Sequence, residues 1–518
     1  MIYLLPFVLA GPGLTAPPAI QAAGIKTSPW EKEIVYQIFP RSFADSNGDR
    51  IGDFKGIQGR LGYIKSLGAT AILLQPILAS RLYHNYFPDS FMDTDPKFGT
   101  NQQFFDLVHA CHRAHIKVIV DMEEQYVASL HPWYVAAEKD PNGPDGQKLG
   151  GSGVYGLRAV PSYDGSRVPI ATVNTNNPDV VKGITDSFMY WVAPPGREQD
   201  GVDGFRLDHM MDDLDSKHTN VQMLTRFWSP LEAAVRAKKP NTFFVAEQSD
   251  WGLGHDQFEK GAVDAVYAIP LRFVFLKALV SALKISPPYQ PGDLAKAYRE
   301  EQAATPPGKT QLVFVENHDL PRYASQVNND PNLLRLGAVF LLTAKGTPSI
   351  YYGQELGMLG SQVKGHNDGN DIPVRLAMPW TDHHTDPGIA VWYVDGPWTT
   401  PGYSKDGDGI SVESEDRDPN SLLNFYRLLI RIRKSSPALS EGSEEYSNVT
   451  DSLIDLIRES RRQRVRVLIN LADRALEKSD PRAIRDVLTG ERIDPRKVLA
   501  IAPHGFRLIE ESLPTAAN

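Results

Sequence analysis

The chain predicts an α/β protein: a (β/α)8 TIM barrel with a small inserted domain after strand three and a C-terminal antiparallel β domain. Three observations carry this. From residue 34 onward, short β-rich runs alternate with helical patterns, the signature of βα units around a parallel sheet. Eight such runs are present, and eight parallel strands with crossover helices close most naturally into a barrel. The segment from about residue 436 contains RVRVLINLAD and VLAIAPHGFRLIE, which alternate as two-faced antiparallel strands do.

In chain order, MIYLLPFVLAGPGLTAPPAIQAAG comes first. It is apolar and rich in small residues, and residues 1–23 read as an export signal cleaved near Ala22 or Ala23. No Lys or Arg precedes the apolar run, and Pro6, Pro12, Pro17 and Pro18 make a poor spanning helix. An exported, periplasmic or secreted protein is therefore expected, with no stable membrane span and with a cytoplasmic location as the alternative. The strand candidates follow as IVYQIFP, AILLQP, KVIVD, GFRLD, FFVAE, AVDAVY, LVFVE and PSIYY. Between them lie amphipathic stretches, one carrying Ile57, Leu61, Ile64 and Leu67 and another Leu334, Leu336, Val339 and Phe340. The barrel is expected over residues 30–121 and 176–435. Residues 122–175, rich in Gly, Pro, Asp and Tyr, are too long for a βα loop and read as an inserted excursion domain. A second insertion spans about 353–418, and both should lie over the active face. Residues 436–518 form the C-terminal β domain.

The 518 residues, 42% of them hydrophobic, suffice for more than one core. Net charge is -9 and the pI about 5.8, with Lys and Arg scattered, so there is no electrostatic footprint for nucleic acid. A single cysteine, Cys111, excludes an internal disulfide and reads as a core residue.

Three carboxylates close apolar runs: Asp208 ends GVDGFRLD, Glu247 ends TFFVAE and Asp319 ends QLVFVENHD. In a barrel of this kind the C-terminal strand ends carry the active site. Retaining glycoside hydrolysis needs a carboxylate nucleophile and a protonated carboxylic acid, with further charges stabilising an oxocarbenium-like state. GVDGFRLD, FFVAE and FVENHD resemble three signature segments of the α-amylase superfamily of retaining α-glycosidases and transglycosylases. The likeness extends to VYQIFPRSFADSNGDRIGDFKGI, DTDPKFGT, GTPSIYYGQELGM and RLAMPW, and is strongest to the oligo-1,6-glucosidase-like branch.

The resemblance implies roles. Asp208 would be the nucleophile, Glu247 the general acid and base, and Asp319 the third acid that holds sugar hydroxyls. Arg206, two residues before Asp208 on the same strand face, would keep it ionised. His318 would donate to substrate, Tyr86 would form a stacking floor under the sugar ring, and Asp121 would support Arg206. DSNGDRIGD sets Asp45, Asn47, Asp49 and Asp53 at alternate positions with the Ile51 carbonyl among them, a set of oxygens suited to Ca²⁺. In the family this segment is a calcium loop; a metal-free cluster of Asx turns is the alternative.

Three positions depart from the family. Phe87 stands where it has Asp after the stacking Tyr, and Gln125 and Tyr126 stand where it has Asn-His. Arg375, in RLAMPW, thereby loses the Asp partner the family gives it. Asp89 is one expected substitute; an anionic group on the substrate is the other. The sequence thus predicts a retaining α-glycoside hydrolase acting on a small or modified α-linked saccharide. A transglycosylase or isomerase on the same site is an alternative, and a noncatalytic carbohydrate-binding or scaffold protein is another.

Overall fold

The computed structural model describes residues 28–513 apart from 151–157, 249, 283–291, 394–395, 400–402, 404 and 451. The expected export signal lies outside the described residues. Eight parallel strands close a barrel in chain order: β1 (Val35–Ile38), β2 (Ala71–Leu74), β3 (Lys117–Met122), β4 (Gly204–Leu207), β5 (Phe243–Ala246), β6 (Ala265–Tyr267), β7 (Thr310–Val313) and β8 (Thr347–Tyr351). Each of the eight apolar runs supplies one strand. The ring closes where Val35 of β1 pairs with Ser349 of β8.

Strand alternation sorts the side chains into two cores. Val35, Leu73, Ile119, Phe243, Val245, Leu312 and Phe314 point inward and pack on one another. Their neighbours Tyr36, Ile72, Val118, Val120, Phe205, Phe244 and Ile350 point outward into the larger core beneath the helices. This double burial explains why the strands read as unbroken apolar runs. Trp30 stacks on Phe243 with ring centroids 3.9 Å apart and closes the floor of the barrel. The same parity carried toward the C-terminal ends puts Gln37, Asp121, Arg206, Asp208 and Glu247 on the inside at the mouth.

Helices cover the outside. The one over Asn101–Arg113 starts with a capping box between Thr100 and Gln103 and buries Phe104, Phe105, Leu107, Val108 and Cys111. Cys111 is a free thiol pushed up to about 12 by burial, as its core position requires. After β3 the chain leaves the barrel to build a three-stranded antiparallel sheet from Tyr126–Ala128, Arg158–Pro161 and Arg167–Thr172. At the C-terminus, five antiparallel strands between Ser443 and Glu511 form a second sheet, with a two-stranded one beside it. Among the described residues no helix is long and apolar enough to cross a membrane.

Candidate active site

Arg206 organises the mouth of the barrel. It is buried on β4; its Nη1 donates to Asp121 Oδ1 at 2.7 Å and also to Asp208, while its Nη2 donates to Glu247 Oε2 at 2.7 Å. Backbone bonds extend the ladder past both strand ends: Asp208 N to Met122 O at 3.1 Å and Glu247 N to Leu207 O at 3.0 Å. The two acids are thereby fixed by main chain and side chain together. One guanidinium spans both.

The two acids are set to opposite tasks. Burial opposes ionisation of Asp208, but His209, Arg206 and hydrogen bonds outweigh it and hold the carboxyl at about 2. Burial also raises Glu247; Arg206 pulls it back only in part, because Asp208 and Asp319 add negative charge, and the net shift is upward. Asp208 is thus an anion and Glu247 inclines to keep its proton, as a nucleophile and a general acid require.

A second chain of contacts faces them. Tyr86 Oη donates to Asp121 Oδ2 at 2.8 Å and lies 2.7 Å from His318 Nε2, its ring parallel to the imidazole. Gln37 Nε2 donates to His318 Nδ1 at 3.2 Å, which leaves the ring proton on Nε2, 3.0 Å from Asp319 Oδ2. Asp319 sits on the loop beyond β7 rather than at the strand end itself, since β7 stops at Val313. Burial opposes its ionisation, yet His318 and Arg375 hold it far below the usual carboxylate range.

Arg375 corrects an expectation. Its Nη2 meets Asp319 Oδ1 at 3.0 Å and Asp371 Oδ2 at 3.7 Å, Nη1 donates to Tyr83 Oη at 3.0 Å, and Nε donates to the His318 carbonyl at 2.9 Å. Asp89 does not serve it. Asp89 pairs with Arg81 at 3.2 Å and accepts the Leu130 N–H. Each nitrogen of Arg375 is bonded inside the protein. It clamps the third acid.

The altered positions form one aromatic unit. Phe87 and Tyr126 meet edge to face with centroids 5.3 Å apart, and Phe87 holds a left-handed φ of 66°, costly for a bulky residue. Gln125 turns away and donates to the Asp208 carbonyl at 2.8 Å. Three further features are not among the residues the sequence motifs single out. Trp251 and Phe273, both partly exposed, stack at 5.6 Å beside Glu247 and Asp319 in a shared pocket. His209 follows the nucleophile, with Nδ1 3.8 Å from Asp208 Oδ2. Glu123, at inward parity two residues beyond Asp121, comes within 4.8 Å of Asp208; the paired acids after KVIVD were the available signal.

Asp45, Asn47, Asp49 and Asp53 lie apart from this site, on the loop after the short helix Pro40–Phe43. Asp45 accepts the N–H groups of Asn47, Gly48 and Arg50, Asn47 accepts that of Asp49, and Asp49 accepts that of Ile51. Asp53 caps the next helix through Gly56 N.

Comparison with known proteins agrees with this geometry. The model of the alpha-amylase catalytic domain matches residues 37–147 and 166–442, and the chain belongs to that family of glycoside hydrolases. It is 31% identical over 441 residues to alpha-amylase 3 of Dictyoglomus thermophilum, covering 82% of either chain. It is 28% identical to the probable oligo-1,6-glucosidase 2 of Bacillus subtilis, over 81% of this chain and 86% of that one. The crystal structure of an alpha-amylase from H. orenii superposes with a TM-score of 0.76 at 26% identity, covering 93% of this chain and 99% of that one.

Proposed function

We propose that the protein is a retaining hydrolase of small or modified α-linked saccharides, with Asp208 as nucleophile and Glu247 as acid and base. The observation that carries this is the single guanidinium of Arg206 bonded to both carboxylates. Retaining enzymes hold their two carboxyl groups close, about 5–5.5 Å apart, whereas inverting ones leave room for a water between them. Asp208 attacks the anomeric carbon as Glu247 protonates the departing oxygen; water, deprotonated by Glu247, then releases the sugar from the Asp208 ester. Asp319, ionised and clamped by Arg375, accepts hydroxyl hydrogens, and Phe87, packed on the buried Tyr126, puts an apolar ring where the family resemblance leads one to expect an acid. Incubation with α-glucosyl, galactosyl, fucosyl and uronosyl fluorides tests the reading: turnover by wild type that Asp208→Asn abolishes supports it. Silence across the panel from folded protein favours a noncatalytic carbohydrate-binding role.

A specific feature favours transglycosylation as the second reading. The Trp251–Phe273 pair beside Glu247 offers ring faces on which an acceptor sugar can stack and displace water from the ester. Transfer products from sucrose or maltose at low substrate concentration separate the two.

We also propose that the DSNGDRIGD loop takes a structural Ca²⁺. Its donors are all oxygens, and the carboxylates of Asp45 and Asp49 and the amide of Asn47 keep lone pairs beyond those spent on backbone N–H groups. Asp45, Asn47, Asp49, Asp53 and the Ile51 carbonyl would hold the ion, which supplies rigidity rather than chemistry. Removal by EDTA should lower Tm by several degrees and calcium should restore it; a melt indifferent to both counts against the site.

A further inference from the structure

We propose that Glu123 is a neutral carboxylic acid that donates its proton in a hydrogen bond to the nucleophile, making it a positioning residue for Asp208. The inference rests on the retaining mechanism above and extends it to a residue outside the acid trio.

The geometry leads there in steps. Residues 119, 121 and 123 share the inward face of β3 and its extension, so Glu123 rises from the barrel just beyond Asp121. It is only 3% exposed. One of its oxygens, Oε1, accepts the Gln125 N–H at 2.8 Å, which fixes the carboxyl plane. Its carboxyl faces that of Asp208. Oxygens of Glu123 and Asp208 and a ring nitrogen of His209 lie mutually within 4.8 Å. Two carboxyl groups can share a hydrogen bond only if one of them carries the proton.

The surrounding charges decide which. Asp208 has Arg206 directly on one oxygen and His209 nearby. Glu123 shares His209 with Asp208 but has no bond from Arg206, which is divided among Asp121, Asp208 and Glu247, while Asp121 on its strand and Asp208 on the next both face it with negative charge. Burial and these neighbours raise Glu123 well above the usual glutamate range, in agreement with the bonding pattern.

A donor to Asp208 acts unequally on the two chemical steps. As the glycosyl ester forms, the Asp208 oxygens lose negative charge and the bond weakens; as water cleaves the ester, that charge returns and the bond strengthens. Glu123 therefore promotes departure of Asp208 from the sugar, and its proton stays on Glu123 throughout. It also steadies the Asp208 anion toward acid.

Three measurements test this. With α-glucosyl fluoride, Glu123→Leu should lower kcat about 10-fold or more, lower KM with it, and accumulate the glycosyl-enzyme in the intact mass. Its acid limb in kcat/KM should move up by about one pH unit, because Asp208 loses a stabilising donor. Glu123→Gln, whose amide N–H still donates, should return the limb to its wild-type position and kcat to within about 5-fold. Leu and Gln variants with the same profile, or a Leu variant without accumulation, would overturn the proposal. Infrared difference spectroscopy of wild type minus Glu123→Gln at neutral pH needs no substrate: the carbonyl band of a protonated acid is expected, and its absence also overturns the proposal. Should wild type turn over none of the fluorides, the retaining reading fails, while the infrared band still decides the protonation of Glu123.

Discussion

Asp208 and Glu247 hang on the same guanidinium, yet their surroundings push them apart. Asp208 gathers Arg206 and His209, with the Glu123 carboxyl close by; Glu247 has the far end of Arg206 and two acids as neighbours. These surroundings set the pH dependence. As pH falls, Asp208 protonates only near about 2, so its acid limb lies well below the ordinary aspartate value. As pH rises, activity fades through the raised value of Glu247, which must hold its proton to act as acid. A kcat/KM profile should show both limbs, and an alkaline limb that persists unmoved in Glu247→Gln, assayed on a fluoride that needs no acid, would assign it elsewhere. Arg375→Ala should free Asp319 and reduce turnover of neutral glycosides by about 10²-fold or more, without sparing them relative to uronosides. Preferential loss on the anionic donors would revive the oxyanion reading.

At the scale of elements, the strands were legible because burial on both faces writes an apolar run, and the run's parity also writes which residues turn inward. Asp208, Glu247, Arg206 and Asp121 could be found that way, directly at or next to strand ends. Asp319 was found by motif, since the strand stops at Val313 and the loop geometry has no period. The partners of Arg375 were misjudged for a different reason: Asp89 was favoured because it stands two residues from Phe87, where the missing acid was expected, whereas Asp371, four residues before Arg375 at the end of the 3-10 helix Asn367–Val374, and Tyr83, in the loop after β2, reach it. Glu123 was overlooked although it has the inward parity of Asp121, because an acid two residues past a strand is usually solvated. The Phe87–Tyr126 contact joins the loop after β2 to the excursion sheet. A double-mutant cycle to Ala, read by denaturant unfolding, should give a coupling of about 1 kcal/mol. A value near zero would mean that the two rings pack independently.

The whole molecule is held together by buried arginines that tie the barrel to the segments beyond β8. Arg433, near the end of the helix Leu422–Ser435, donates to the carbonyls of Leu342 at 3.1 Å, Ala344 at 2.9 Å, Gly346 at 2.6 Å and Glu31 at 3.2 Å. Arg458 of the C-terminal sheet donates to the carbonyls of Thr343, Gly442 and Ser443. Both lie at the floor of the barrel, around the segment that leads into β8, far from the acids at the mouth. Arg433→Met should destabilise by about 3 kcal/mol, by leaving buried carbonyls without a donor, and lower Tm by a few degrees while KM stays as in wild type. A changed KM would show that the floor and the mouth are coupled.

All of these scales meet in one covalent bond. Intact-protein and peptide mass spectrometry, after reaction with the glycosyl fluoride that wild type turns over best, reports it directly when the ester is trapped with the corresponding 5-fluoro sugar. A single added glycosyl mass located on Asp208, and absent from Asp208→Asn, is the predicted result. An adduct on another residue, or steady turnover by Asp208→Asn, would contradict the assignment of the nucleophile.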